Sequence, residues 1–435
     1  MTPTRQSLFL LAIWSALGLV ASVWPESATS AWQAFGVVVG VLLLGDLLLA
    51  LGKPRTTIER DFAVSLALGV RTKAQLRVMN ASGSAKTLLV QESHPASVQI
   101  EQLPRKVRVP AHGFAEVGYA LRTTERGELQ FGLLDYRQAS LLGFWWRHAK
   151  SGSAQAVRVY PNFRAVARYA LLATSNRVSE LGIRKKRRRG EGTEFHQLRE
   201  YRVGDPFRQI DWRATSRMMK LISREYREER DQQIMFLLDC GRRMHSKDGE
   251  LTHLDHALNA VLLLAYVALR QGDAVGLMTY GGQQRQLPPR KGASYLNAIL
   301  NAVYDLSTTA VASDAAQAVE EAVKSLSRRS MIVLVSNMRD EEDEDLSSML
   351  KIASQRHLML LASLREVALG DTLDAGVNDF GGALRMAATH EYVRVREESH
   401  EKLERYGLLC MDVEPRMLAA DLVNRYLRIK ASGLL

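Results

Sequence analysis

Two long apolar runs at the start of the chain constrain its fold more than any other feature of the sequence. Residues 7–24 carry no charged side chain, and residues 31–51 carry a single one, Asp46. Each run is close to the roughly 20 residues that cross the hydrocarbon core of a bilayer as an α-helix. A cleaved signal peptide would end in a small-residue cleavage site, whereas here a second apolar run follows at once. The sequence therefore predicts a transmembrane helical hairpin over residues 1–55.

Basic residues around these runs predict the orientation of the hairpin. Arg5 precedes the first run, Lys53 and Arg55 follow the second, and the connecting loop PESATS holds no Lys or Arg. Because short loops rich in Lys and Arg stay on the cytoplasmic side, both ends of the hairpin are expected there. The chain has only two cysteines, which suits a reducing compartment. Asp46 is expected near the membrane interface or paired within the hairpin.

Residues 56–162 change to short stretches that alternate between apolar and polar side chains. Runs such as FAVSLAL, AQLRVMN and AEVGYAL are separated by turn-forming residues. Many short strands at regular spacing are typical of a β-sandwich, which we predict for this region. The aromatic residues Phe144, Trp145 and Trp146 are expected on a loop or an edge. Contact with lipid, contact with a partner and packing under the sandwich all remain open for them.

Residues 163–232 are predicted to be a linker that ends in a distinctive segment. The linker contains a run of six cations, residues 184–189, which is expected to stay solvated and to attract anionic lipid or an acidic partner. The acidic run DEEDED, residues 340–345, is a possible partner within the chain. The net charge of +11 permits nucleic-acid binding. No known nucleic-acid module is recognisable in the sequence, so nucleic acid is not an expected partner.

The end of this linker, residues 191–225, mixes Arg, Asp and Glu with aromatic side chains. Such a mixture favours a hydrogen-bonded platform in which Arg side chains grip carboxylates. The side chains that we expect to form this platform, and through it an interaction surface, are Arg199, Glu200, Tyr201, Gly204, Asp205, Arg208, Asp211, Trp212 and Arg217.

The same segment resembles the bacterial family called domain of unknown function 58, or DUF58. The family signature runs approximately Gly-x-x-Phe-x-x-Leu-Arg-x-Tyr-x-x-Gly-Asp-x-x-Arg-x-Ile-Asp-Trp-x-x-x-x-Arg. Its places are taken here by Gly192, Phe195, Leu198, Arg199, Tyr201, Gly204, Asp205, Arg208, Ile210, Asp211, Trp212 and Arg217. The match is dense, and the order of membrane hairpin, β-rich segment, signature and α/β region also resembles that of the family.

This resemblance carries functional expectations. Members of the family look like von Willebrand factor A-type proteins, and their genes commonly lie beside those of MoxR-type AAA+ ATPases. The resemblance implies a bacterial inner-membrane protein, multi-pass and with its soluble domains in the cytoplasm. It also implies that the protein acts with such an ATPase as a protein-interaction adaptor in the assembly or maturation of client protein complexes. A passive structural anchor is the alternative.

Residues 233–435 alternate short apolar runs with helical patterns. This alternation predicts a doubly wound α/β fold with a mostly parallel sheet covered on both faces, resembling a von Willebrand factor A domain. Ligands of such folds bind at the carboxyl ends of the strands. The predicted strands are residues 234–239, 274–280, 331–336, 358–363 and 408–413. The predicted helices are residues 253–271, 293–306, 314–326, 345–355, 383–406 and 415–430.

In A-type domains the carboxyl edge carries a metal-ion-dependent adhesion site. The first motif there is Asp-x-Ser-x-Ser, directly after the first strand, and a Thr and an Asp come from later loops. Oxygen ligands of this kind suit Mg²⁺. Here the first motif begins at Asp239 but places Gly241 and Arg243 where the two serines are expected, and Asn337 stands where the Asp is expected. Ser313 is the candidate for the Thr.

We therefore predict a degenerate site, and neither a metal nor a cofactor is expected, although Mg²⁺ remains possible. One hypothesis is that Arg243 places its guanidinium near the vacant metal position and faces Asp239, ready for a partner carboxylate. The alternative, that Arg243 points to solvent, is equally open.

An enzymatic function is not expected, so no catalytic residue is predicted. His245, His253 and His256 lie close together in sequence, but a zinc site needs three or four ligands with supporting hydrogen bonds. The sequence has no HExxH or Walker motif and no nucleophile elbow. The three histidines are expected at the surface. A metal-dependent enzyme and a nucleic-acid-binding protein are the further alternatives.

Overall fold

The computed structural model of the protein describes residues 1–23, 25–52, 55–162, 194–202, 205–227, 232–338, 343–377 and 379–434. It divides into two units, Met1–Tyr160 and Pro161–Leu435, which are described separately below. The cationic run at residues 184–189, most of the linker before the signature, Gly204 and the start of the acidic run at residues 340–345 lie outside the described residues.

The first unit begins with an apolar helical hairpin. Helix α1 is Arg5–Val23 and helix α2 is Pro25–Ala50. Within the described residues, these two helices are long and apolar enough to cross a membrane, with mean hydropathies of 1.8 and 2.1 in their most apolar windows. Most side chains in both windows are exposed in the isolated chain. The two apolar helices are therefore as the sequence predicted.

Two tryptophans join these helices. The rings of Trp14 on α1 and Trp32 on α2 stack with their centroids 5.4 Å apart, and Trp32 Nε1 donates to Trp14 O at 3.1 Å. Each ring covers a glycine of the opposite helix, because a Cβ at Gly18 or Gly36 would lie 2.8 or 2.5 Å from the indole nitrogen. Small residues therefore let the rings approach the backbone, as is common where helices pack in membranes.

The rest of the first unit consists of short strands. They are β1 (Thr2–Pro3), β2 (Thr56–Asp61), β3 (Ser65–Ala67), β4 (Thr72–Asn80), β5 (Lys86–Gln91), β6 (Val98–Glu101), β7 (Arg105–Val109), β8 (Phe114–Thr123), β9 (Gly127–Phe131), β10 (Leu134–Ala139), β11 (Trp145–Ser151) and β12 (Gln155–Tyr160). They form sheets in the orders β2-β4-β8-β6, β1-β11-β10-β5-β7 and β3-β12-β9.

The core of this β-rich region follows from the period of two along each strand. In β4, for example, Ala74, Leu76 and Val78 are buried while the residues between them are exposed. Strand β1 was not predicted. It precedes the first apolar helix and pairs antiparallel with the start of β11, so the chain contributes to the sheet before it enters the helical hairpin.

The second unit begins, within the described residues, with the signature segment. Strand β13 (Glu194–Glu200) pairs antiparallel with β14 (Ile222–Arg227). Between them lie a 3-10 turn at Phe207–Gln209 and helix α3 (Trp212–Met218).

The α/β region follows. Its strands are β15 (Gln233–Asp239), β16 (Lys247–Asp248), β17 (Leu251–Thr252), β18 (Ala274–Tyr280), β19 (Gln286–Arg290), β20 (Met331–Ser336), β21 (Leu358–Leu364) and β22 (Leu409–Val413). Its helices are α4 (His253–Arg270), α5 (Tyr295–Val303), α6 (Ala315–Ser325), α7 (Asp343–Arg356), α8 (Val367–Asp374), α9 (Phe380–Arg405) and α10 (Leu418–Ser432).

The main sheet of this region has the order β19-β18-β15-β20-β21-β22. Its strands are parallel except β19, which is antiparallel to β18. Alternate residues of β15 enter different cores: Phe236 packs with α4, α5 and α10, and Leu237 packs with α6 and α7. The α/β region with helices on both faces of the sheet is therefore as predicted.

Four elements of this region were not predicted: the two-residue strands β16 and β17, strand β19 and helix α8. Strand β19 contains Pro288 and Pro289, whose backbone nitrogens cannot donate to a ladder. An edge position, with a partner on one side, tolerates them. Helix α8 spans only Val367–Asp374, which is too short to show a clear helical pattern of apolar side chains. It also contains a glycine, which disfavours a helix.

Candidate functional site

The topology of the main sheet identifies one edge as the natural place for a site. Strand β15 lies between β18 and β20, and the chain order reverses between β15 and β20. In open parallel sheets the crevice for ligands lies at the carboxyl ends of the strands at such a reversal. Asp239 and Ser336 are the last residues of these two strands.

Asp239 is a buried carboxylate held by neutral donors. Its Oδ1 accepts from Gly241 N at 2.7 Å and from Ser313 Oγ at 2.5 Å, and its Oδ2 accepts from Ser336 Oγ at 2.6 Å. Hydrogen bonds to an ionised acceptor are stronger than those between neutral groups, so this arrangement offsets the cost of burying the charge. The structure thus brings Asp239, Gly241 and Ser313 together, and it adds Ser336, which the sequence analysis did not place in the site.

The Ser313 hydroxyl lies in a cradle of two glycines. A Cβ built on Gly241 or on Gly281 would collide with Ser313 Oγ and would also crowd Asp239 Oδ1. Gly281 has φ +70°, which disfavours other residues as well. The hydroxyl of Ser313, from a different loop, takes the space that a serine side chain at position 241 would need. A glycine therefore fits at this motif position where a serine would not.

Asn337, 0% exposed, belongs to a second buried cluster at the same edge. Its Nδ2 donates to Glu366 Oε1 at 2.6 Å, and its Oδ1 accepts from Arg396 Nη1 at 3.3 Å. Arg396, on α9, is buried and also donates to Ser363 Oγ at 2.6 Å and to Asp412 Oδ1 at 2.7 Å. Asn337 thus bridges an acid and a cation from other elements.

Sequence reasoning missed Arg396 as a member of this edge. It lies in α9 close to Arg394, which is exposed and pairs with Glu391 and Glu398 on the helix surface. Local sequence did not distinguish the two arginines, because only the packing of α9 decides which of them is buried.

Arg243, the cation that the sequence analysis put forward, is half-buried in the short helix Arg242–His245. The hydrogen bonds that Asp239 accepts come from Gly241, Ser313 and Ser336. The role given to Arg243 stays a prediction.

The histidines near this edge differ from expectation. His245 is exposed, but His253 is 1% exposed at the start of α4, so the prediction that it lies at the surface is wrong, and His256 is half-buried. The reason is that α4 is covered on nearly all sides, including its first turn. Neither ring nitrogen of His253 has a hydrogen-bond partner among the described residues.

Burial lowers the pKa of His253, because the charged imidazolium would be desolvated there, while the nearby Glu366 carboxylate works in the opposite direction. The pKa of His256 is lowered for the same main reason, against the effect of Asp248. Within the described residues, no group of three or more His, Cys, Asp and Glu side chains is arranged to hold a metal ion.

The signature segment forms a second candidate site. Arg199 grips Asp205 with both terminal nitrogens at 2.8 Å, and this pair holds the pKa of Asp205 below its usual range. Tyr201 Oη donates to Asp205 O at 3.2 Å. The predicted residues Arg199, Tyr201 and Asp205 therefore lie in one cluster that fixes the turn after β13.

Asp211 fixes the next turn. It caps α3 by accepting from Arg213 N and Ala214 N at 3.0 Å, and it accepts from Arg224 Nε at 2.9 Å. The backbone N–H of Ala214, followed by the Arg224 guanidinium, lowers the pKa of Asp211. Glu200 pairs with Lys220 at the surface.

The large apolar side chains of this segment face outward. Phe207 is 78% exposed and Trp212 is 67% exposed, and Phe207 stacks on Tyr201 with ring centroids 6.0 Å apart. Arg208 and Arg217 are also exposed. Other exposed apolar side chains of the segment are Leu198, Met218, Met219 and Leu221.

Comparison with known proteins gives this region a family. Residues 197–408 match the model of the family described as "Protein of unknown function DUF58". Residues 197–408 therefore form a DUF58 region. The match covers the signature from residue 197 onward and most of the α/β region, so the DUF58 resemblance expected from the sequence is confirmed.

Similarity to individual proteins is low. The chain is 22% identical over 261 residues to the "Uncharacterized protein YeaD" of Bacillus subtilis, a match that covers 58% of this chain and 60% of that relative's length.

Among solved structures, a Salmonella alpha-2-macroglobulin reacted with methylamine is 18% identical, covers 24% of this chain and 7% of its own, and has a TM-score of 0.20. WR4, a C. elegans MSP family member, is 12% identical, covers 25% of this chain and 97% of its own, and has a TM-score of 0.17. Likeness at these scores assigns neither a fold nor a function to the chain.

Proposed function

We propose that this DUF58 protein is an inner-membrane adaptor that recruits a MoxR-type AAA+ ATPase to the assembly or maturation of client protein complexes. Its helices α1 and α2 span the membrane, its soluble regions lie in the cytoplasm, and its signature segment binds the partner. The α/β region acts as a von Willebrand factor A-like domain that works without a metal ion. Catalysis is not part of this proposal.

The exposed aromatic side chains of the signature segment carry the proposal. Phe207 and Trp212 are mostly exposed, while the acids beside them, Asp205 and Asp211, are engaged by Arg199 and Arg224. Exposed aromatic side chains on a rigid support are typical of the central residues of protein interfaces, which are enriched in Trp, Tyr and Arg. The ion pairs therefore support the platform, and the aromatic side chains and Arg208 are the contact residues.

The edge of the main sheet supports the A-type assignment and its metal-free form. Asp239 directly follows the first strand of the sheet, and Ser313 and Asn337 come from later loops. The hydroxyls of Ser313 and Ser336 already donate to the carboxylate of Asp239, which a metal would need as a ligand. A divalent cation would have to break those hydrogen bonds before it could bind.

Affinity capture tests the adaptor role. The tagged chain would be captured from gently solubilised native membranes with and without ATP, and the bound proteins identified by mass spectrometry. We expect a MoxR-type ATPase to be recovered in a nucleotide-dependent manner. The double change Phe207→Ala with Trp212→Ala should abolish this recovery, and so should the charge reversal Arg208→Glu, because all three side chains face solvent.

Phe380→Ala is the matched control, because Phe380 is 84% exposed elsewhere in the same unit. It should leave recovery unchanged, and all variants should keep the melting temperature of the wild type. A large fall in melting temperature for the Phe207 and Trp212 variant would instead mark the segment as structural. Reproducible absence of an ATPase would favour a passive membrane anchor.

A further inference from the structure

The tight turn between β10 and β11, residues 140–144, lies against the apolar helices at the start of the chain. Its sequence is SLLGF, and the β-hairpin that it closes belongs to the same unit as α1 and α2. This hairpin tip has no role in the adaptor proposal, yet its contacts are unusual for a loop of a soluble sandwich.

Asp46 of α2 is the main contact of the tip. This carboxylate is 0% exposed, and it accepts from Ser140 Oγ at 2.5 Å, from Leu142 N at 3.0 Å and from Phe144 N at 3.2 Å. A carboxylate in an apolar helix is costly unless its oxygens are satisfied. Here the backbone and hydroxyl of the turn satisfy them, so the turn and the helix depend on each other.

Further hydrogen bonds hold the hairpin to both helices. Trp145 Nε1 donates to Leu43 O at 3.0 Å, and Arg147 donates to Ala50 O at 2.9 Å at the end of α2. On the side of α1, Thr4 N donates to Phe144 O at 2.9 Å, one residue before the helix begins. The tip is therefore fixed at a defined height along both helices.

That height lies at the edge of the hydrocarbon core. The candidate span of α2 has 22 residues, about 33 Å at 1.5 Å per residue, which matches a core about 30 Å thick. Leu43 and Asp46 precede Ala50 by seven and four residues, so they lie about 10 and 6 Å inside the end of the helix. Because the tip contacts Asp46 and the next residue, Trp145, contacts Leu43, the tip reaches below the level at which α2 leaves the core.

The side chains at the tip suit that environment. Leu141 is 66% exposed and Leu142 is 48% exposed, and both project from a turn whose polar backbone groups face Asp46 and α1. Just beyond the tip, Lys106 Nζ lies 5.8 Å from the ring centroid of Trp146, at the start of β11. An apolar end followed by aromatic and basic side chains is the usual order at a membrane interface.

We propose that the tip Leu141-Leu142-Gly143-Phe144 is inserted into the cytoplasmic leaflet, at the boundary between lipid headgroups and acyl chains, with Asp46 holding it there. The inserted turn is a third membrane contact beside the two helices, and it fixes the orientation of the β-rich region on the bilayer. This inference rests on the membrane anchoring in the proposed function.

Depth-dependent quenching in the full chain tests the insertion. Leu142→Cys would be labelled with the environment-sensitive fluorophore NBD, and the protein reconstituted in vesicles of phosphatidylethanolamine and phosphatidylglycerol. The vesicles would be prepared with or without a mixture of lipids brominated near the headgroup end and near the methyl end of the acyl chain, so that both shallow and deep positions can be quenched. The native thiols label poorly, because Cys240 is buried and burial raises the pKa of Cys410 to about 12. The unsubstituted chain gives the labelling blank.

Two reference positions complete the design. Leu133→Cys is the matched control, since Leu133 is an exposed leucine at the opposite end of β10, about 20 Å from the tip at 3.4 Å per residue. Val41→Cys reports the span itself, since Val41 is exposed within α2. We expect blue-shifted emission and strong quenching by brominated lipid at positions 142 and 41, with neither effect at position 133.

Quenching at position 41 without quenching at position 142 would overturn the insertion and leave the membrane spans standing. Blue-shifted but unquenched emission at position 142 would also overturn it, because the tip would then be buried against a second copy of the chain. Absence of quenching at both positions would refute the membrane anchoring itself, and the insertion with it.

Discussion

Two buried aspartates, one in each unit, are held in similar ways for different ends. Asp239 accepts from the hydroxyls of Ser313 and Ser336 and from a backbone N–H, and Asp46 accepts from the hydroxyl of Ser140 and from two backbone N–H groups. In both cases the donors are neutral, and hydroxyl groups from segments distant in sequence are among them. Each aspartate therefore acts as a clamp between segments.

The difference lies in what each clamp joins. Asp239 joins loops of one sheet edge, at a position where a ligand site is expected from topology alone. Asp46 joins an apolar helix to a β-hairpin at a position where a charge would otherwise be unstable. The comparison teaches that a buried carboxylate can join segments of the fold both at the end of a strand and within an apolar helix.

The largest expected effect is that of removing the first clamp. Asp239→Ala leaves two buried hydroxyls and a backbone N–H without their acceptor, and each hydrogen bond to a charged group contributes about 1.5–3 kcal/mol. We expect the α/β region to lose about 3 kcal/mol or more of unfolding free energy. Hydrogen exchange of β15 and β20 amides, read by mass spectrometry, measures this loss.

The control is Asp371→Ala, at an exposed acid of α8, which should change the free energy of unfolding little. A loss below about 1 kcal/mol for Asp239→Ala would show that the network is not a clamp.

The glycine cradle provides a coupling test of the same clamp. Gly241→Ser restores the motif residue but collides with Ser313 Oγ, so it should destabilise the α/β region. Ser313→Ala removes the obstacle, and the double variant should recover part of the loss, with a coupling energy of about 1–3 kcal/mol. Chemical denaturation of the four proteins measures the cycle. Additive losses would mean that Ser313 does not occupy the place of the missing side chain.

Mg²⁺ binding tests whether Asp239 joins loops through hydrogen bonds or serves as a metal ligand. Titration calorimetry of the wild-type chain with Mg²⁺ should give no binding, because the oxygens of Asp239 are already engaged. The variant Arg243→Ser with Asn337→Asp removes the nearby cation and adds an acid, so it is the form in which weak binding is expected. Tight binding by the wild type and none by the variant would refute the metal-free proposal.

The second clamp is expected to have a more local effect. Asp46→Ala frees the N–H groups of Leu142 and Phe144, so these two amides should exchange faster while those of β4, far from the turn in sequence, keep their protection. Ser140→Ala removes one donor and should produce a smaller change of the same kind. Unchanged exchange at the tip in Asp46→Ala would break the parallel between the two aspartates.

In each unit, sequence patterns predicted the helices and strands better than the side-chain contacts among those elements. Period and apolarity located β18 and β20, because parallel strands buried on both faces read as continuous apolar runs. The resemblance to A-type domains indicated Asp239 and Ser313 as candidates, but the part played by Ser336 depends on a distance across two strands. Neither Arg396 nor the turn that binds Asp46 has a local signal, since both depend on which faces the fold brings together.

The smallest expected effect is the pH dependence of the stability of the α/β region. Burial lowers the pKa of His253, so the unfolded chain binds its proton more readily than the folded α/β region does. The free energy of unfolding should therefore fall as pH decreases below about 6.5, and it should recover as pH rises again, because stability increases with pH wherever the unfolded state binds more protons.

His253→Gln should make this dependence shallower, by about 1.4 kcal/mol for each unit of lowered pKa. Denaturation of the α/β region between pH 5 and pH 8, roughly the range of histidine titration, measures the slope. His390→Gln, at an exposed histidine of α9, should leave it unchanged. An identical slope in wild type and His253→Gln would show that His253 is protonated equally in the folded and unfolded states. The acid sensitivity would then have to come from half-buried histidines whose pKa is also lowered by desolvation, such as His256 and His400.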